Sequence, residues 1–162
     1  MVKIGKMNKR NIWFYTSVTM LTVSAALLIT GSTLLVLPIS NEPYIPLGTF
    51  ITWFGIIALP SAIYWGNQNL RMPPSAFRYL SLVLKIILFL ALLWAPICYL
   101  LAGNWSFSFS NKETFQGGQA AMRWFWRFSY GIVVVPIVLW VIHLIMSHFL
   151  LKEKVGEQEP IK

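Results

Sequence analysis

Four long apolar runs decide most of what this chain can fold into. They cover about residues 12–39, 46–66, 77–102 and 128–151 of 162. A helix crosses the hydrocarbon core of a bilayer with roughly 20 apolar residues, so each run is long enough to span one. Backbone N–H and C=O groups in lipid must be satisfied within the protein, which makes each run a helix. Composition points the same way. The chain is 57% hydrophobic and 11% charged, where a soluble domain averages about 45–50% and about 25%. The expected fold is an all-α integral membrane protein. One domain over residues 1–162 holds four transmembrane helices, between a short basic tail (1–11) and a charged tail (152–162). The opening "MVKIGKMNKR" has the basic character of a signal-peptide n-region. The apolar run behind it is far longer than the roughly 7–15 residues of a signal h-region, so it reads as a retained span.

Charge orients the bundle. Lys and Arg outnumber Asp and Glu 13 to 5, for a net charge of +8. The cations gather at the ends of the apolar runs, where they meet anionic headgroups, rather than on a soluble basic domain that could bind nucleic acid. Lys3, Lys6, Lys9, Arg10, Arg71, Arg78, Lys152, Lys154 and Lys162 fall on one side, and Lys112, Arg123 and Arg127 on the other. The positive-inside rule then places both termini in the cytoplasm and the loop between the third and fourth helices outside it. The expected location is a bacterial inner or plasma membrane. The expected partners are the lipid bilayer and other membrane subunits or further copies of the chain.

Few residues inside the runs carry chemistry. Lys85 lies seven residues past Arg78, on the same helix face and about 10 Å deeper. Its stem is long enough to return the ammonium to the interface, and the alternative is a buried anion site. His143 and His148 are five apart, which turns them about 140° from each other on a helix, so they cannot share a metal or a haem. His143 alone is an intramembrane polar residue. It either hydrogen-bonds across helices, for example to a Ser or Thr of the first run, or ligates a haem or chlorin with help from elsewhere. The lone Cys98 forms neither an internal disulfide nor a Cys-based zinc site. The chain has no Asp, and Glu42, Glu113, Glu153, Glu157 and Glu159 all fall outside the apolar runs. Without an intramembrane carboxylate, a phosphate-cradling glycine loop or a Cys/His cluster, no catalytic or metal-binding residue is assigned.

Two features suggest packing surfaces. Thr22, Ala26 and Thr30 recur every four residues along the first run, with Thr33 near the same stripe. Small residues so spaced let another helix approach closely, within the chain or between subunits. The second feature is the loop Gly103–Phe128, with Trp105, Phe107, Phe109, Phe115, Trp124, Phe125, Trp126 and Phe128. In it "WSFSFS" alternates like a strand with one apolar face, and "AAMRWFWRF" suits a short helix that puts Arg123 and Arg127 on one face. Trp105, Arg123, Trp124, Trp126 and Arg127 would form an interfacial aromatic belt, or a docking surface for a partner. Pro60, Pro96 and Pro136 should kink their helices, and Pro73 and Pro74 separate the second helix from the third.

Poverty of reactive groups beside plentiful packing surface favours a non-catalytic accessory, scaffold or assembly subunit of a larger membrane complex, with no cofactor. Two alternatives stand beside it. One is a tetrapyrrole-binding electron-transfer or pigment subunit using His143. The other is a small homo-oligomeric transporter or channel lined by Lys85, His143 and the kinks at Pro60 and Pro136.

Overall fold

A computed structural model describes residues 9–41, 44–104, 107 and 115–156, and for residues 41, 44 and 151–156 only the backbone. Helix α1 (Lys9–Thr30) is followed by a 3-10 turn (Thr33–Val36) and a small hairpin of β1 (Pro38–Asn41) and β2 (Tyr44–Pro46). Helix α2 (Leu47–Gly66) leads through the one-turn α3 (Gln68–Arg71) and a 3-10 turn (Ser75–Phe77) into α4 (Arg78–Leu92). Helices α5 (Trp94–Ala102) and α6 (Gly118–Gly156) complete the chain. Among the described residues, four stretches are long and apolar enough to cross a membrane: Lys9–Thr30, Leu47–Gly66, Ser75–Leu92 and Gly118–Leu150.

The second expected span matches α2 to within a residue, and the other three differ for identifiable reasons. The first helix stops at Thr30, not at 39. Gly31 turns the backbone into the left-handed region at φ 59°, which glycine enters without steric cost. Pro38 then holds Leu37 extended, at φ −63° and ψ 130°. The apolar residues beyond Thr30 therefore form the 3-10 turn and the first strand of a hairpin, which Leu47 N–H closes onto Leu37 O at 2.8 Å. β1 and β2 pair antiparallel, with an irregularity between Pro38 and Ser40.

The third run is broken at Leu93, between α4 and α5. Pro96 lies four residues past Leu92, so it cannot donate to that carbonyl and its ring crowds it. Pro60 and Pro136, also expected to kink, lie inside continuous helices. The fourth helix begins at Gly118, ten residues earlier than expected, and takes in "AAMRWFWRF" without a break. At 39 residues it is about 58 Å long, well beyond the roughly 30 Å of a hydrocarbon core.

Successive helices pack antiparallel. Phe14, Ser24 and Leu35 meet Gly66, Gly55 and Gly48 in reverse order along α2. Trp53 of α2 donates from Nε1 to Ala91 O at 3.0 Å, while Leu70 beyond its end accepts from Ser81 Oγ at 2.6 Å. Phe77 lies beside His143, and Trp94 beside Ser129, so α4–α5 runs against α6. Helix α2 is central, touching α1, α4, α5 and α6. Buried Ile56, Ala91, Trp94, Ala95, Cys98, Ala102, Phe107, Phe125 and Ile132 form the larger core, and Ile63, Leu70 and Leu84 a smaller one. Outside these, large apolar side chains face outward along every long helix, among them Ile29, Phe89, Leu100 and Ile145. Water-soluble monomers rarely expose contiguous apolar surface on that scale, whereas lipid tolerates it.

Candidate functional site

The residues singled out in the sequence do not converge on one place. Lys85 is exposed on α4, as is Arg78, in keeping with one outward face. His143 is buried, its ring 5.0 Å from that of Phe77. Because α6 starts early, His143 lies about 13 Å past the middle of the Gly118–Leu150 stretch, level with the start of α4. Its Nε2 is 3.5 Å from Ser147 Oγ, one turn along the same helix. Its Nδ1 is buried with no hydrogen-bond partner. His148 is exposed. No group of three or more His, Cys, Asp or Glu able to hold a metal occurs among the described residues.

The aromatic loop divides into an inner and an outer set. Phe107, Phe115 and Phe125 pack mutually edge-to-face, with centroids 5.3, 5.4 and 5.9 Å apart. That geometry sets the positive ring edge against the negative ring face. The cluster is pinned by the backbone: Gln116 N–H donates to Ala102 O at 2.9 Å, and Gly117 lies so close to Leu101 O that a Cβ would overlap it. Trp124 and Trp126, 62% and 40% exposed, stay outside. Arg127 lies over the Trp124 ring at 5.8 Å, Trp126 stacks on Tyr130, and Arg123 is exposed. Trp105, and with it most of "WSFSFS" and all of "NKET", lies outside the described residues.

Thr22, Ala26 and Thr30 face away from the bundle. Thr22 Oγ1 donates to Val18 O at 2.9 Å and Thr30 Oγ1 to Ala26 O at 2.8 Å, so the hydroxyls are satisfied within α1. The face that α1 turns to α2 is a neighbouring one, with Ser17 and Ser24 buried. There Gly55 comes so near Ser24 that a Cβ would sit 2.9 Å from the serine Cβ. Small-residue packing is thus used within the chain, on a stripe adjacent to the expected one.

A feature that sequence reasoning did not find is a cleft between α1, α2 and α6. It has a volume of about 550 Å³ and is lined by Phe14, Leu21, Leu59, Ala62, Ile63, Gly66, Asn67, Ile137 and Trp140. At its end lies a polar pocket of about 400 Å³ among Arg10, Asn11, Phe14, Tyr15, Trp65, Gly66 and Gln68. The Phe14 ring rests directly on Gly66, where a Cβ would lie 2.9 Å from it. Trp13 stacks on Trp65 with centroids 6.2 Å apart, and the Arg71 guanidinium lies 6.0 Å from the Trp65 ring. The sequence signal was modest: Arg10 and Asn11 at the start of one run, Trp65 and Gln68 at the end of the next.

Comparison of the chain with protein-family models, with curated proteins and with solved structures found no match. Its own residues carry the functional argument.

Proposed function

We propose that this chain is a non-catalytic multi-pass membrane subunit that works by packing against other membrane proteins, with both ends on the cytoplasmic side of a bacterial inner or plasma membrane. The observation that carries the reading is the outward stripe Thr22–Ala26–Thr30. It is small, and its hydroxyls are already bonded to their own helix. It lies on a helix whose main packing within the chain is with α2. Such a surface admits a second helix at close range with no polar group to desolvate. The antiparallel order of successive helices supports the placement of both ends on one side. The outward Trp124–Arg127 pair, on another helix towards the same end of the bundle, supports a second contact with headgroups or with a partner.

A photoreactive amino acid at position 26 in intact membranes tests this. A discrete protein–protein adduct is expected there, and lipid adducts alone at position 82 on the outer face of α4. Lipid adducts alone at both positions would overturn the reading.

A second reading, a tetrapyrrole-binding subunit, draws on the buried and unpartnered Nδ1 of His143. It requires a Soret or chlorin band in the purified protein that His143→Ala removes, and a featureless visible spectrum ends it. The transporter reading gains less. Lys85 is exposed while His143, Pro60 and Pro136 are buried, so these groups line no common path within one chain.

A further inference from the structure

The cleft and the polar pocket at its end are two compartments of one site, because Phe14 and Gly66 line both. The first is walled by hydrocarbon from three helices, including Leu21, Leu59 and Ile137. The second presents the Arg10 guanidinium, the Asn11 and Gln68 amides and the Tyr15 phenol. Among the described residues, no acidic side chain lines either one. Arg71, held over the Trp65 ring at the pocket wall, adds a second cation. The pocket sits where α1 starts and α2 ends, the level at which Trp rings and cations meet headgroups. The volumes, about 550 and 400 Å³, fall in the range of about 300–1,000 Å³ typical of ligand sites.

We propose that this site holds a phospholipid with an anionic headgroup. An acyl chain lies along the cleft between α1 and α6, on the α2 floor. The phosphate sits in the pocket, facing Arg10, with the amides as further donors. A zwitterionic lipid of the same chain length fits the cleft but gains no net charge attraction at the head. Basic pockets between membrane helices recognise anionic headgroups on this principle. The inference rests on the chain lying in a bilayer. It is independent of whether the chain joins other subunits.

The test uses the full chain in vesicles doped with a trace of phospholipid carrying a diazirine in one acyl chain. The probe is either phosphatidylglycerol or phosphatidylcholine, and peptide mass spectrometry locates the adducts. Phosphatidylglycerol adducts should concentrate at Leu21, Leu59 and Ile137 and exceed those of phosphatidylcholine there. Arg10→Gln should lower them about fivefold, and Arg10→Lys should keep most of them. Ala62→Phe, which fills the cleft from its α2 wall, should remove them while leaving labelling at Leu82 unchanged. Equal cleft labelling by the two lipids, or undiminished labelling in Arg10→Gln, overturns the proposal. That second arm decides even if Ala62→Phe fails to fold. Displacement by inorganic phosphate also overturns it, in favour of a site for free anions. Absence of lipid adducts everywhere, Leu82 included, would remove the membrane reading beneath it.

Discussion

Two regions of this bundle hold together by different means. Where α5 and α6 meet, large rings fill the space: Trp94 is buried with its Nε1 bonded to Ser129 Oγ at 3.0 Å, and Phe107, Phe115 and Phe125 interlock beside it. Midway along α1 and α2 the contact is made by small residues, Ser24 against Gly55 with Ser17 buried two turns away, and a cleft stays open next to it. In lipid, burying hydrocarbon brings little gain, so dispersion and hydrogen bonds decide how firmly helices adhere. Many ring contacts make the α5–α6 end a locked unit. A narrow seam of small residues makes α1 a helix that lies close to the bundle yet keeps most of its circumference for other neighbours. The lesson is a division of labour, with one region that keeps the shape and another that offers surface.

The single cysteine lets the two regions be read separately. Cys98 is buried in the α5–α6 core, 4.0 Å from Ser129 Oγ. A maleimide dye reaches it only when that end opens, because thiol reaction requires access. The largest effect should come from Gly117→Ala. Its methyl would overlap Leu101 O and sit 3.0 Å from the Ala121 Cβ, so backbone must move. A loss of about 4 kcal/mol or more is expected, seen as fast Cys98 labelling at temperatures where the parent protein is protected. Unchanged labelling would mean that the aromatic end is not the locked one.

Next in size is Gly55→Leu. The new side chain meets Ser24 across the α1–α2 seam and should cost about 1–3 kcal/mol of overpacking. The informative result is where the loss shows. Spin labels on α1 and α2 should report a wider separation, while Cys98 stays protected. If Cys98 becomes reactive as well, the two regions are one cooperative unit and the division fails. Thr49→Val should act with the opposite sign. Thr49 Oγ1 is buried without a hydrogen-bond partner, against a small cavity it shares with Trp94, Cys98 and Tyr99. Replacing that hydroxyl with a methyl removes an unmet polar group and should stabilise the core by about 1 kcal/mol, read as a later onset of Cys98 labelling.

How much of this was legible in the sequence depends on the kind of signal. Runs of hydropathy gave the four helices, and Pro46 followed by Gly66 and Asn67 marked the limits of α2 well. Hydropathy cannot tell an apolar span from an apolar hairpin, so residues 31–39 were read as helix. Gly31 and Pro38 were the signals that should have ended it. The early start of α6 was legible in part: "AAMRWFWRF" reads as a short helix, and because nothing after it breaks a helix it is continuous with the fourth span. The cleft was out of reach, because its walls come from positions 14 and 21, 59–67, and 137 and 140. Only the packing of three helices brings those together. On α1 the sequence pointed to the Thr22–Ala26–Thr30 stripe, but period alone does not say whether it faces inward, and the bundle uses the face with Ser17 and Ser24.

That ambiguity sets up the smallest expected effect. Thr22→Ala and Thr30→Ala each delete a hydroxyl that is exposed and bonded only to its own helix. Substitutions at such sites usually change stability by less than about 0.5 kcal/mol, and an i−4 hydroxyl bond slightly weakens a helix rather than supporting it. Cys98 protection and the α1–α2 spin-label distance should therefore match the parent. Ala26→Leu should behave alike in the isolated chain, since its side chain points away from α2. In the membrane it should block the close approach that the Thr22–Ala26–Thr30 stripe permits, and so abolish any protein adduct formed next to that stripe. A variant silent in the purified chain and disruptive in the membrane would separate the surface this helix offers from the seam it uses. An Ala26→Leu chain that loses its own α1–α2 contact would show that the outward stripe belongs to the inner packing after all.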